Sequence, residues 1–236
     1  MKNLCAILFI LGMAAQFVSG QKLPSSARLS KVKFERKEKI KRAVKTAGLS
    51  WGSSVFIRIF KTEKQLELWI KDGSKYRLYK TYPICTFGSG GLGPKLKEGD
   101  GKAPEGFYYV KPKQMNPYST FHLSFNLGYP NAYDRAHGRT GSALMVHGSC
   151  VSIGCYAVTD PRIEEIYLIT EAALRHEQAF FRVHIFPFRL KPLALKLVKN
   201  AQWYEFWQNL KTGYDYFEKH KLPPNVRVRN KMYVFD

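Results

Sequence analysis

Short segments rich in β-forming residues, separated by turn residues, place the strongest limit on what this chain can fold into. Val55–Phe60 and residues 65–70 are rich in β-branched and aromatic residues, and Asp72-Gly73 predicts a two-residue hairpin turn into residues 76–82. Three later segments also read as strands, namely residues 119–126, 143–146 and 180–188. The sequence therefore predicts a domain whose core is built largely from strands.

Two further segments show helical spacing instead. Asp160 is a suitable N-cap, Pro161 suits the first helical position, and apolar residues then recur every three or four positions. Aromatic residues between positions 203 and 217 form a stripe at the same spacing, which is typical of a helix packed on a core. Because no repeat or linker interrupts residues 48–217, we predict one α+β domain over residues 48–236, with peripheral helices and a C-terminal helical extension.

The N-terminus predicts export. Lys2 precedes an apolar run over residues 4–15, and small residues follow up to Gly20. This is the pattern of a cleaved secretory signal peptide over residues 1–20, and the run is shorter than the ~20 apolar residues that span a bilayer. We therefore expect a periplasmic protein that loses Cys5 with its signal peptide.

The charge balance favours an anionic partner. The chain carries 38 Lys and Arg residues against 18 Asp and Glu residues, a formal net charge of +20. Nucleic acid, a membrane surface or a carboxylate-rich polymer would each fit, but export argues against nucleic acid. Residues 22–45 alone hold ten Lys or Arg residues and two Glu residues. We expect residues 21–47 to form a basic helix or arm, which is either a solvated face or a surface that binds an anionic wall or membrane.

Two familiar kinds of ligand site are not supported. Residues 88–93 match the pattern G-x-G-x-x-G, but Pro94 follows where a dinucleotide site needs a helix, so we predict a glycine loop without a nucleotide. The six histidines show no spacing typical of metal ligands. We predict neither a metal site nor a cofactor.

One segment carries candidate chemistry. A predicted strand ends at His147, and a tight loop containing Gly148 and Gly154 leads to Cys155. A cysteine nucleophile needs a base nearby, because the thiolate is the reactive form and a free thiol is mostly protonated at neutral pH. A glycine before the nucleophile lets backbone N–H groups face the developing oxyanion, where such donors contribute roughly 3–4 kcal/mol. The alternative is a disulfide between Cys150 and Cys155, which would leave His147 without a role.

This segment resembles the L,D-transpeptidase (YkuD) catalytic domain superfamily, and most closely its YafK-like branch. The superfamily motif is a histidine, a variable gap and Ser/Thr-His-Gly-Cys, matched here by His147 and residues 152–155. The resemblance covers most of the mature chain through specific strings at residues 82–85, 93–100, 103–106, 121–126, 129–135 and 147–155. It departs at Ile153, which replaces the second histidine, and at Tyr156-Ala157, where the superfamily has an apolar residue followed by Asn or Arg.

The resemblance implies a β-rich sandwich and a cysteine acyl-enzyme formed on murein stem peptides, at the L-centre of diaminopimelate. Cys155 matches the nucleophile and His147 matches the base, with its ring oriented by a backbone carbonyl near Gly148. The N–H groups of Gly154 and Cys155 would face the oxyanion. Ser152 matches the serine that shapes the turn.

The reaction itself stays open at the level of sequence. The superfamily favours transpeptidation, either as 3→3 cross-linking or as attachment of a lipoprotein lysine to the stem, while the departures allow hydrolysis of a stem-peptide or protein–murein bond. A non-catalytic murein-binding module is a third reading. For substrate binding we expect Arg135 or Arg139 to hold a stem carboxylate, with a solvated loop arginine as the alternative. His122 and Tyr129 complete the candidate substrate residues, and His122 is also the rival to His147 as base.

The pairing of the remaining cysteines depends on the role of Cys155. If Cys155 stays reduced in an oxidising compartment, Cys85 and Cys150 are the natural pair. Their bond would close a loop of about 65 residues and contribute on the order of 4 kcal/mol. A bond between Cys150 and Cys155, or no bond at all, remains the alternative.

Overall fold

The computed structural model describes residues 22–176 and 178–236. The predicted signal peptide over residues 1–20 lies outside the described residues. Within them, no helix is both long and apolar enough to cross a membrane. The described chain confirms the predicted α+β class, with a five-stranded sheet, a four-stranded sheet and a short C-terminal hairpin.

The five-stranded sheet forms the centre of the molecule. Its strands are β1 (Val55–Phe60), β2 (Gln65–Asp72), β3 (Lys75–Pro83), β4 (Gly106–Val110) and β9 (Phe181–Phe186), in the order β3-β2-β1-β9-β4. β1 is antiparallel to β2 and parallel to β9. Every residue of β1 is buried, because helix α3 (Asp160–Arg175) and helix α5 (Tyr204–His220) both contact this strand.

The hairpin between β2 and β3 is formed as the sequence predicts. The two strands pair antiparallel around Asp72-Gly73, and Gly73 has a φ of +58°. A glycine suits this turn because it has no Cβ to strain a left-handed backbone.

The four-stranded sheet carries the segment that ends at His147. Its strands are β5 (Met115–Asn116), β6 (Ser124–Asn126), β7 (Met145–His147) and β8 (Tyr156–Ala157), in that order. Helix α3 contacts β6 and β7 as well as β1, so it joins the two sheets. Its N-cap is Thr159 rather than Asp160, because the Asp160 carboxylate instead accepts the backbone N–H of Ser149 at 2.7 Å.

The predicted strand over residues 119–126 is shorter in the structure. Only Ser124–Asn126 is a strand, because His122 has a φ of +69° and turns the chain out of the extended conformation. Leu123 and Phe125 are buried as expected, whereas Phe121 is partly exposed.

The basic N-terminal segment forms helix α1 (Ala27–Thr46). It packs on α3 through an apolar stripe that belongs to the main core cluster, namely Leu29, Val32, Ile40 and Val44. The helix is therefore part of the domain core and carries its charged residues on the outside. The remaining elements are a 3₁₀ helix (Pro112–Gln114), α2 (Ala132–Ala136), α4 (Pro192–Leu197), β10 (Val226–Arg229) and β11 (Met232–Phe235).

Candidate active site

The thiol of Cys155 lies where two short strands meet. β7 ends at His147 and β8 begins at Tyr156, and the strands pair in parallel with Val146 opposite Tyr156. Cys155, one residue before β8, therefore lies beside Met145, whose backbone N–H donates to Cys155 Sγ at 3.4 Å. The sheet thus brings the thiol to the strand that carries His147.

Both side chains line one cleft of about 540 Å³. Its walls come from residues between 95 and 101, residues 141–145, the turn over residues 151–155, and Phe121. A volume in the range of roughly 300–1,000 Å³ is typical of ligand sites. The cleft can therefore enclose part of a peptide substrate next to the thiol.

The imidazole of His147 is oriented by the main chain. The side chain is buried, with 1% exposed, and its Nδ1 lies 2.7 Å from the carbonyl oxygen of Gly148. A carbonyl oxygen can only accept, so Nδ1 carries the proton and the lone pair of Nε2 is available to take one. Burial lowers the pKa of His147, and the Gly148 carbonyl opposes this shift. The neutral ring is therefore the form present at pH 7, and it is the form that can act as a base.

Burial also favours the neutral form of the Cys155 thiol, the candidate nucleophile. It raises the pKa of the Cys155 thiol, while the N–H of Met145 and the charge of Lys95 oppose the shift. With His147 also neutral, the cleft at rest holds a thiol and a neutral imidazole. The thiol proton must then move during attack, which is the task of a general base.

The turn before Cys155 supplies one backbone donor. The N–H of Gly154 donates to Ser152 Oγ at 3.0 Å, and that hydroxyl donates to the carbonyl oxygen of Cys155 at 2.7 Å. The expectation that both the Gly154 and the Cys155 N–H groups face the oxyanion is therefore not met. The N–H of Cys155 has no acceptor within the described residues.

Two of the cysteines hold the loop around the site. Cys85 and Cys150 form a disulfide across a sequence separation of 65, and Cys155 is a free thiol. The bond attaches the loop after His147 to the chain that follows β3. A Cys150–Cys155 bond is not present.

The glycine loop over residues 88–93 packs against the turn that precedes Cys155. Gly88 has a φ of +94°, and a Cβ there would lie 2.4 Å from the carbonyl oxygen of Gly101 and 3.0 Å from the N of Gly154. Only a glycine fits this approach of three backbone segments. Gly88 therefore supports the turn before Cys155 by allowing this close packing.

Helix α1 reaches the same site from the other side. Arg28 donates to the carbonyl oxygens of Ser119 and His122, both at 2.6 Å. Between these carbonyls lies Phe121, whose ring packs on the imidazole of His147 with centroids 4.7 Å apart. The helix thus holds the segment against which the candidate base rests.

The two arginines expected to bind substrate do not line this cleft. The guanidinium of Arg139 is buried, donates to Asp134 at 2.7 Å and packs over the ring of Tyr133. Arg135 is exposed and donates to the carbonyl oxygen of Pro130. Arg139 is therefore committed to the fold, and Arg135 lies exposed on α2, outside the cleft.

His122 and Tyr129 are also engaged elsewhere. His122 Nε2 lies 2.8 Å from the carboxylate of Glu164, and its ring is not among the residues that line the cleft. The buried Tyr129 hydroxyl donates to the carbonyl oxygen of Lys95 at 3.2 Å. Tyr129 thus lies behind the wall of the cleft, and it is Lys95 that faces the site.

Sequence reasoning missed Lys95 and Phe121. Lys95 lies in one of the strings that carry the family resemblance, and that was the signal available for it. Phe121 falls within the predicted strand over residues 119–126, and the left-handed backbone of His122 that turns it to His147 leaves no sign in the sequence.

Residues 54–177 match the model of the YkuD family, the L,D-transpeptidase catalytic domain. The chain belongs to this family. YafK of Escherichia coli K12 is 50% identical over 183 residues, which are 78% of this chain and 74% of YafK.

Two solved structures are more distant. Pgp2 of Campylobacter jejuni, a helical cell shape determining protein, aligns with a TM-score of 0.45 and 18% identity over 81% of this chain and 80% of that one. Bd1075 of Bdellovibrio bacteriovorus aligns with a TM-score of 0.42 and 20% identity over 75% of this chain and 78% of that one.

Proposed function

We propose that the protein is a peptidoglycan L,D-transpeptidase that forms an acyl-enzyme between Cys155 and a murein stem peptide at the L-centre of diaminopimelate. The observation that carries this proposal is the free Cys155 thiol in one cleft with His147, whose Nδ1 hydrogen bond leaves Nε2 able to accept a proton. A non-catalytic murein-binding module would not need a free thiol in the same cleft as a base.

The chemistry follows from these atoms. Cys155 Sγ attacks the carbonyl carbon of the amide while His147 Nε2 takes the thiol proton. The oxygen of the tetrahedral intermediate accepts the N–H of Cys155. His147 then returns the proton to the leaving amine, the C–N bond breaks and a thioester remains. An acceptor amine attacks the thioester with His147 again as base, which restores the thiol.

Hydrolysis is the second candidate, and the rim of the cleft favours it. The turn between His147 and Cys155 is short, and its Ile153 side chain is 92% exposed instead of folding over the thiol. A cleft that is not covered at this side admits water to the thioester. The bond broken would then be a stem-peptide bond or a link between murein and a lipoprotein.

The expected location is the periplasm, after removal of residues 1–20. There the basic outer face of α1 would meet an anionic wall or membrane, which matches the net charge of the chain.

The test uses the protein without residues 1–20, incubated with purified murein digests and followed by mass spectrometry. Exchange and cross-linked products indicate transpeptidation, and products heavier by one water indicate hydrolysis. We expect Cys155→Ala to abolish both, and His147→Ala to lower kcat/KM by roughly 10²–10⁴ with the fold retained. His122→Ala is the matched control, since His122 lies close in sequence to the site but outside the cleft.

Three results would contradict the proposal. Near-normal activity in His147→Ala with loss in His122→Ala would reverse the assignment of the base. Murein binding by the wild type without any product would favour the binding module. Resistance of Cys155 to a mild alkylating reagent at pH 7 would remove the nucleophile.

A further inference from the structure

The ammonium group of Lys95 lines the cleft and has one N–H donor that no acceptor in the described residues fills. Its side chain is only 6% exposed, yet it lines the same cleft as Cys155. Its Nζ donates to the carboxylate of Asp100 at 2.7 Å and to the carbonyl oxygen of Lys97 at 3.0 Å. An ammonium group has three N–H donors. The third has no acceptor within the described part of the chain.

The position of this ammonium group is fixed by its partners. Asp100 also accepts the backbone N–H groups of Leu96, Lys97 and Lys102 at 2.7–3.1 Å. Burial alone would raise the pKa of Asp100, but the hydrogen bond from Lys95 and these three N–H groups lower it to about 2. The carboxylate is therefore ionised at every pH at which the enzyme would work, and it anchors Lys95.

The backbone of Lys95 is held as well. Its carbonyl oxygen accepts the hydroxyl of the buried Tyr129. A Cβ at Gly141 would lie 3.0 Å from Lys95 Cε, so the absence of a side chain at this position leaves room for the lysine. A lysine that is held both at its backbone and at its ammonium group loses little conformational entropy when it binds a ligand.

We propose that Lys95 binds a carboxylate of the stem-peptide substrate through its third N–H donor. A carboxylate is the group that best complements a partly buried ammonium, because hydrogen bonds between two ionised groups are stronger than neutral ones. The inference rests on the proposed function, and it replaces Arg135 and Arg139 as the carboxylate-binding residue. The charge of Lys95 also favours the Cys155 thiolate, so one residue would serve both binding and attack.

The experiment compares a series of disaccharide tetrapeptides in which each carboxylate in turn is amidated. For the wild type, one amidation should lower kcat/KM by about 10- to 100-fold, the range expected for a hydrogen bond between charged groups. For Lys95→Met, the free-acid peptide should slow to the rate of that amide, so the ratio of acid to amide falls to about one. Lys95→Arg should keep part of the ratio, because it keeps the charge.

Lys97→Met is the matched control, since Lys97 is exposed on the same loop and does not line the cleft. It should keep the wild-type ratio. Because each ratio is taken within one enzyme, a smaller folded fraction cancels. If Lys95→Met has no turnover, the same ratio is measured as dissociation constants, with Cys155→Ala added to both enzymes.

A wild-type ratio that persists in Lys95→Met would overturn the inference and leave Lys95 as a structural residue of its loop. The absence of any single amidation effect in an active wild type would do the same. A wild type that processes no stem peptide fails the proposed function instead, so the two failures are distinguishable.

Discussion

Two buried lysines donate to the loop over residues 93–105, and they differ in how many of their three N–H donors the protein fills. Lys61 is fully buried, and its Nζ donates to the carbonyl oxygens of Gly93 and Ala103 and to the carboxylate of Glu105, at 2.9–3.1 Å. Lys95, two residues beyond Gly93, fills only two of its three donors. A lysine whose donors are all filled inside the protein has nothing left for a ligand.

The Lys61–Glu105 pair is also enclosed more completely by protein than the Lys95–Asp100 pair is. Burial lowers the pKa of the Lys61 ammonium, and the charge of Glu105 opposes the shift. Glu105 in turn accepts the N–H of Gly93 and the indole N–H of Trp207, both at 2.8 Å. This pair is closed on all sides, whereas the Lys95 pair has the cleft on one side. The contrast separates a lysine that holds the fold from one that is available to substrate.

The largest loss of stability should come from breaking the enclosed Lys61–Glu105 pair. Lys61→Met leaves the Glu105 carboxylate buried without its cation, so we expect the free energy of unfolding in urea to fall by about 3–5 kcal/mol. Adding Glu105→Gln should recover part of this loss, because the remaining polar group is neutral. A loss below about 1 kcal/mol would show that the Lys61–Glu105 pair contributes little to stability.

A smaller effect is expected at the open pair. In Lys95→Met the Asp100 carboxylate keeps its three backbone donors, so the free energy of unfolding should fall by only about 1–2 kcal/mol. The measurement is the same urea titration, with Lys97→Met as the variant that should change nothing. Equal falls in the free energy of unfolding in Lys95→Met and Lys61→Met would show that the two lysines contribute equally to the stability of the fold.

The smallest effect concerns pH. Because the pKa of Asp100 is about 2 in the folded chain and near 3.9 in an unfolded one, its contribution is complete above about pH 5 and is lost as pH falls towards 2. Allowing for solvent screening, it is worth about 1 kcal/mol. The gap in unfolding free energy between wild type and Asp100→Asn should therefore shrink between pH 5 and pH 3. A gap that stays constant would mean that the charge of Asp100 contributes nothing.

The sequence predicted the parts of the fold that depend on local pattern. The turn at Asp72-Gly73, the strand Val55–Phe60 and the helix after Thr159 all follow from residues adjacent in the chain. The break at His122 could not be foreseen, because its backbone is held by Arg28 at a separation of 94 residues.

The candidate site divides in the same way. His147 and Cys155 are candidates from the sequence because a glycine-containing loop joins them and because they match the family motif, and the structure places them at two neighbouring strands. Arg139 was misplaced because its partners, Asp134 and the ring of Phe206, are set by packing, and sequence alone gives no sign that its guanidinium is already occupied. The family resemblance marks the string around Lys95, but the unfilled donor of its Nζ is visible only once the acceptors around it can be counted in the structure.

The contact between Arg28 and the segment around Phe121 bears on how far this catalytic unit can be treated as a module. The residues that match the family begin at position 54, yet the helix that steadies the candidate base ends at Thr46. Moving the matched segment into another protein would transfer Cys155 and His147 but would leave out α1, whose Arg28 holds the segment around Phe121. The family match therefore ends short of the residues that support the candidate site, and a shortened version of this protein has to retain α1 as well as residues 54–177.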